Sequence, residues 1–362
     1  MKKEQFNPAF QLKSRKARIA LSPACNLYCD YCDGPKSRKT EKPGAMEDFR
    51  SHGLETGSIP KDQYIEIIHH LYKVGFRGIT FTGGEPMINR DWDEIVRAAR
   101  EIGMEQICLT TNGLLLSRYL EKHGLLPEEL TLLTVSFDTF DADEFAALTH
   151  VNRLPQIISG LQQVRETNPS FPIRANHVIL RSNFKELSKY IQQCEKLGIF
   201  DEVNLLNLIL KDPQNPNEVE YFKKEFIHPQ EIMEDLVSQG YTFSEGAKYE
   251  PITQTESGVK IILKDTDRTL RNEETCGNCP IYCQEGFYTV RIATDGSIRT
   301  CIDYRNQLPS IDSVAALEQG TFQEQLEEMV QIFHHSQLEN TLQYFIEQYA
   351  SSLLNDDFGE DS

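Results

Sequence analysis

Three cysteines near the start of the chain, Cys25, Cys29 and Cys32, stand three and then two residues apart. Spacing that short lets one loop turn three thiolates towards a single inorganic centre, and thiolates are the preferred ligands of iron–sulfur clusters. Three ligands fill only three corners of a four-iron cube, so one iron keeps an open position, which marks catalytic rather than structural metal sites. Zinc with a distant fourth ligand, or plain buried thiols, is the alternative that these residues leave open. A second group lies far along the chain: Cys276, Cys279, Cys283 and Cys301. It suits either zinc or a second cluster; four bound thiolates would close that site, and three would leave an iron free. The remaining cysteines, Cys108 and Cys194, fall in a strand-like and a helix-like segment and read as core thiols.

Such a centre needs a scaffold. The chain after the first cysteines alternates short β-branched runs with helical patterns, the mark of repeated βα units and a parallel sheet. Strands are expected at 18–21, 78–82, 106–110, 131–138, 173–180 and 202–206, and helices at 61–74, 91–102, 114–122, 154–166 and 184–197. These units make an α/β fold, a partial (β/α)6 TIM-like barrel, in which functional residues gather on loops after the strands. The polar motifs fall there: the cysteine loop after the first strand, Gly83-Gly84-Glu85-Pro86 after the second, Thr111-Asn112-Gly113 after the third and Ser136 near the end of the fourth. Glycines lacking Cβ let backbone approach a ligand closely, and the Glu85 carboxylate can meet a cation. The polar connection from 33 to 60 reads as a lid or as a solvated loop.

Beyond 210 the pattern becomes irregular, with a helix expected at 229–238 and a strand at 258–263. Residues 1–210 are expected to form the barrel, 211–320 a small domain carrying the second cysteine group, and 321–362 a C-terminal helix and acidic tail. Asp295-Gly296 between two β-rich runs signals a hairpin that returns Cys301 towards the other three cysteines of its group. Phe322, Leu326, Met329, Val330 and Phe333 recur at helical spacing, so a helix running from Thr321 to about Tyr349 should bury one face.

At 362 residues, 39% hydrophobic and 25% charged, the chain has an ordinary globular composition. Its net charge of −18 repels long polyphosphates, so nucleic acid is not an expected partner, although a local basic pocket could hold one nucleotide. No apolar run reaches the length of a signal peptide or a membrane span, which points to a cytoplasmic protein without a membrane partner. Clustered cysteines in a reducing compartment read as metal ligands rather than disulfides.

The loop from Cys25 to Cys32, with aromatic Tyr31 before its last cysteine, resembles the signature of the radical S-adenosylmethionine (SAM) enzymes. The resemblance implies a [4Fe-4S] cluster on Cys25, Cys29 and Cys32 with SAM on the open iron. It also implies reductive cleavage of SAM to a deoxyadenosyl radical that abstracts a hydrogen atom from substrate. Gly83, Gly84, Glu85, Asn112 and Ser136 match positions that hold SAM, and Tyr31 a position near its adenine. The motif order, with Phe226-Ile227-His228-Pro229 ahead of the second cysteine group and Arg291 to Cys301 within it, is similar to the GTP cyclases of molybdenum-cofactor biosynthesis. Those carry a second [4Fe-4S] cluster in a small C-terminal domain (twitch- or SPASM-like), and Arg18 and Arg291 match arginines that contact their nucleotide. A guanidinium fork suits phosphate.

The chain also departs from that family. It ends Phe358-Gly-Glu-Asp-Ser362 instead of in paired glycines, Thr289 and Asn204 replace arginines, and the second cysteine group has an extra member. The expected function is therefore radical chemistry on a small-molecule or peptide substrate, in natural-product or modified-peptide biosynthesis, with a reducing partner such as flavodoxin or ferredoxin. The GTP cyclase reaction is the alternative within the class. A zinc-stabilised binding protein without catalysis is the alternative outside it.

Overall fold

The computed structural model describes residues 15–32, 58–210, 215–245, 251–264, 289–301 and 310–331. Two compact units divide the chain, the first formed by residues 1–175 with 289–334 and the second by 176–288 with 335–362.

In the first unit, strands β1 (Lys16–Ala20), β2 (Gly78–Thr82), β3 (Gln106–Thr111) and β4 (Leu132–Ser136) alternate with helices α1 (Lys61–Lys73), α2 (Trp92–Ile102) and α3 (Leu116–His123). All four strands run parallel in sequence order. Helices α4 (Ala142–Thr149) and α5 (Leu154–Thr167) follow, and the chain leaves the unit within β5 (Ile173–Ile179). Residues from the far end of the chain return to the same sheet. Strand β10 (Arg291–Ile292) lies parallel to β1, and β11 (Ser297–Arg299) and β12 (Ile311–Asp312) add to it antiparallel.

The two faces of this sheet differ in chemistry. Ala17, Ile19, Ile79, Phe81, Ile107, Leu109, Leu133 and Val135 are all fully buried, and each large apolar side chain so placed contributes roughly 1.5–3 kcal/mol. The alternate positions carry Lys16, Arg18, Thr80, Thr82, Cys108, Thr110, Thr134 and Ser136. A parallel sheet covered on both faces reads as continuous apolar runs; here one face is left polar, and the cysteine loop leaves the C-terminal end of β1.

In the second unit, β6 (Glu202–Asn207) pairs parallel with β9 (Lys260–Leu263), which continues antiparallel to β8 (Pro251–Gln254) and β7 (Ser244–Glu245). Helix α6 (Leu187–Leu197) buries Leu187, Tyr190, Ile191 and Cys194, and α7 (Pro216–Glu225) and α8 (Pro229–Ser238) follow β6.

Every strand expected before 210 is present to within a few residues. The helix expected at 184–197 divides into a 3-10 turn at Phe184–Glu186 and α6. Helices α4 and α7 and strands β7 and β8 had no expectation. The helix expected from Thr321 is described over Phe322–Gln331, with Phe322, Leu326, Met329 and Val330 buried as its spacing requires. Phe333, Cys276, Cys279, Cys283 and most of the connection from 33 to 60 lie outside the described residues. Among the described residues no helix is long and apolar enough to cross a membrane.

Candidate functional site

The cysteine loop is seated by backbone on two sides. The Gly84 N–H donates to the Ser22 carbonyl at 2.6 Å and the Glu85 N–H to the Ala24 carbonyl at 2.7 Å, stitching the loop after β2 to the loop after β1. Gly83 makes this possible. Its φ is +138°, and a Cβ there would stand 2.6 Å from the Ser22 oxygen, so only glycine fits. On the other side, the Tyr28 and Asp30 N–H groups donate to the Thr149 and Leu148 carbonyls, each at 3.0 Å. Those are carbonyls of the last turn of α4, which a helix leaves without intrahelical partners. Helix α4 thus holds the loop, although nothing in the sequence reading had found it. The available signal was Asp141 ahead of an Ala- and Glu-rich octad, and its side chain does cap the helix by accepting from the Asp143 and Glu144 N–H groups.

Between these anchors the three thiols share one neighbourhood. Cys25 and Cys29 are partly exposed and Cys32 is exposed. The Cys29 thiol is pushed well up, first by burial and then by the nearby Cys32, Asp138 and Cys25. A cationic centre relieves both burdens, since it stabilises thiolate and offsets the repulsion between sulfurs. Among the described residues no three His, Cys, Asp or Glu side chains are gathered around a single ion. Tyr31, between the second and third thiols, donates its hydroxyl to Asp138 Oδ2 at 2.5 Å, tying the loop to the segment after β4. Burial and the Asp138 charge hold that phenol well above its usual range.

Glu85 corrects an expectation. Its carboxylate does not face the loop to meet a cation: it is completely buried, with Oε1 accepting from Thr111 Oγ1 at 2.7 Å and Met87 N–H at 3.1 Å, and Oε2 from Asn112 N–H at 2.8 Å. Burial nevertheless raises its pKa to about 7, against these three lowering hydrogen bonds. Glu85 braces the turn after β3. Asn112 then passes that order on, donating from Nδ2 to Asn26 Oδ1 at 2.6 Å and lying 3.6 Å from Cys25 Sγ, while its Oδ1 accepts from Leu114 N–H. Asn26 is a participant that sequence reading missed. Ser136 stands partly exposed at the end of β4.

This arrangement of a three-thiol loop, a double-glycine turn and a parallel βα sheet has counterparts among known proteins. The pattern of the Radical SAM superfamily matches residues 19–194. The chain belongs to the radical SAM superfamily. It is 26% identical over 319 residues to a GTP 3',8-cyclase of Synechocystis sp., covering 86% of each chain. It is 25% identical over 290 residues to a probable GTP 3',8-cyclase of Methanococcus maripaludis, covering 80% of this chain and 85% of the other. The solved structure of Streptococcus suis SuiB has a TM-score of 0.55 at 14% identity, covering 89% of this chain and 66% of SuiB. Native anSMEcpe with bound AdoMet gives 0.55 at 12% identity, covering 94% of this chain and 99% of the other. Both structures share the fold. Membership sets aside the reading as a zinc-held protein without catalysis.

The radical SAM domain extends its sheet with the segment that carries the later motifs. The Asp295-Gly296 hairpin forms as expected: Gly296 has φ +83°, its N–H reaches the Ala293 carbonyl at 3.0 Å, and the Ala293 N–H reaches Ser297. A glycine in the left-handed region closing a short loop is a recurrent hairpin device. Arg18 and Arg291 stand directly opposite each other on β1 and β10, and both are partly exposed. Thr289 is buried, and its hydroxyl donates to the Lys16 carbonyl. Cys301 follows β11 and is partly exposed. Cys108 and Cys194 are buried, as expected of core thiols; the Cys108 sulfur accepts from Lys16 Nζ at 3.1 Å, and burial pushes the Cys194 thiol up to about 12.

Proposed function

We propose that this radical SAM enzyme acts on a purine nucleoside triphosphate, GTP first among them, in a reaction of the type named for its cyclase relatives. Cys25, Cys29 and Cys32 would hold a [4Fe-4S] cluster; their donor set fits, because all are thiols in one another's field and Cys29 is short of the positive charge that would ionise it. When bound, the cluster supplies an electron and SAM the deoxyadenosyl radical that abstracts hydrogen. The chain's own residues align and shield. Gly83 and Gly84 offer backbone to SAM, Tyr31 and Ser136 flank it, and Glu85 with Asn112 keeps the loop in register. Cys276, Cys279, Cys283 and Cys301 would hold the second [4Fe-4S] cluster, and a small flavodoxin- or ferredoxin-like reductant would supply electrons.

The observation that carries the substrate class is the cross-strand pairing of Arg18 with Arg291 in the same unit as the cysteine loop. Two guanidinium groups on neighbouring strands of a polar face suit a phosphate chain. A second reading, a small-molecule or peptide substrate of natural-product type, is favoured by two other positions. The Thr289 hydroxyl is spent on Lys16, and Asn204 is a buried amide that donates to Asn176 Oδ1 at 3.0 Å; an arginine at each would have added charge for a triphosphate. Deoxyadenosine formation by anaerobically reconstituted protein, with and without GTP, separates the two. GTP consumption with a sharp rise in SAM cleavage supports the nucleotide reading, and slow cleavage indifferent to GTP supports the second.

A further inference from the structure

We infer that Arg299 is a third anion-binding side chain, aligned with Arg18 and Arg291 in one row that takes the polyphosphate of the substrate; this rests on the nucleotide reading above. Arg291 is directly opposite Arg18 across the β10–β1 pair and directly opposite Arg299 across the β10–β11 pair. Residues opposed in this way share a face of the sheet, and strands about 4.8 Å apart put the ends of the row roughly 10 Å from each other. The placement is fixed from behind, because Ile19, Ile292 and Ile298 on the opposite face are buried to 2% exposure or less. All three arginines stay partly exposed.

The row has a direction. Beyond Arg18 the directly opposed positions are Thr80, Cys108 and Leu132, all without positive charge. Three like charges side by side across strands are destabilising on their own, and an extended anion with charge spread along its length reverses the sign of that interaction. A lone carboxylate would meet one or two of the three; a chain of phosphates meets them all, each through a forked pair of hydrogen bonds. Thr289, two residues before Arg291, is neutral and turned to the Lys16 carbonyl, so Arg299 is the side chain that gives this edge its additional cation. The sequence carried the signal: the Asp295-Gly296 hairpin fixes the register, and counting outward from it sets position 299 against 291.

Equilibrium binding of GTP, GMP and inorganic tripolyphosphate to the full chain, reconstituted anaerobically with iron and sulfide, tests the row. GTP and tripolyphosphate should both bind, and Arg299→Gln should weaken each by about 10- to 100-fold, with GMP much less affected. Arg299→Lys, which keeps the charge and loses the fork, should fall between and keeps the test open if the glutamine variant does not fold. Unchanged GTP and tripolyphosphate affinity in a folded Arg299→Gln variant overturns the inference while leaving the nucleotide reading intact. Binding of tripolyphosphate that depends on Arg299, without binding of GTP, upholds the row and removes the nucleotide. A wild-type chain that binds neither overturns the row.

Discussion

Glu85 is the residue whose chemistry is most at odds with its surroundings. A carboxyl raised from 4.5 to about 7 binds more protons in the folded chain than in the unfolded one. Its contribution is therefore fully present below 4.5 and is lost as pH rises through about 7, a difference of about 3 kcal/mol at 1.36 per unit. Glu85→Gln has no charge to desolvate, so its melting temperature should change less than that of wild type over this window; parallel profiles for the two proteins would contradict the assignment. Tyr31→Phe keeps the ring and removes one hydrogen bond to a carboxylate, with an expected loss of about 1.5–3 kcal/mol in thermal or denaturant melts and retention of bound iron. The motif residues themselves were legible in sequence because their types and short spacings are local. Their partners were not: Asn26, Asp138 and the Leu148 and Thr149 carbonyls meet the loop only through the fold, and Glu85 turned out to serve the protein's interior.

At the scale of elements, the geometry of the site is a matter of how loops are pinned together. Gly83→Ala would drive a Cβ into the Ser22 carbonyl and force a side chain into φ +138°, a backbone strain of about 1–3 kcal/mol before the clash is counted. The variant should lose bound iron as well as stability. Gly124→Ala is the control: its φ is +80° but nothing lies within 4 Å, so it should cost stability while leaving iron content unchanged. Strand positions were legible because β-branched runs alternate with 3.6-residue patterns, and the hairpin because Asp-Gly permits the required turn. Helix α4 was not, since eight residues with two buried side chains give too little periodicity to stand out. The pairing of β10 with β1 was equally hidden, because it joins positions nearly the whole chain apart and no local pattern encodes it.

At the scale of the whole molecule, chain order and spatial order part company. Residues 289–334 pack into the unit that contains the cysteine loop, while 176–288 belong to the other, so the late motifs were brought to the early ones by sheet pairing. If Cys301 ligates a second cluster, Cys301→Ala should lower total bound iron by about half while leaving SAM cleavage in the absence of substrate measurable; full retention of iron would remove Cys301 from the ligand set. The central claim, that the radical is directed at a purine nucleotide, is tested most directly with GTP carrying deuterium on its ribose. The account predicts deuterium in the deoxyadenosine recovered from anaerobic turnover, with GTP consumed in step. Unlabelled deoxyadenosine, formed at the same rate whether or not GTP is present, would contradict it.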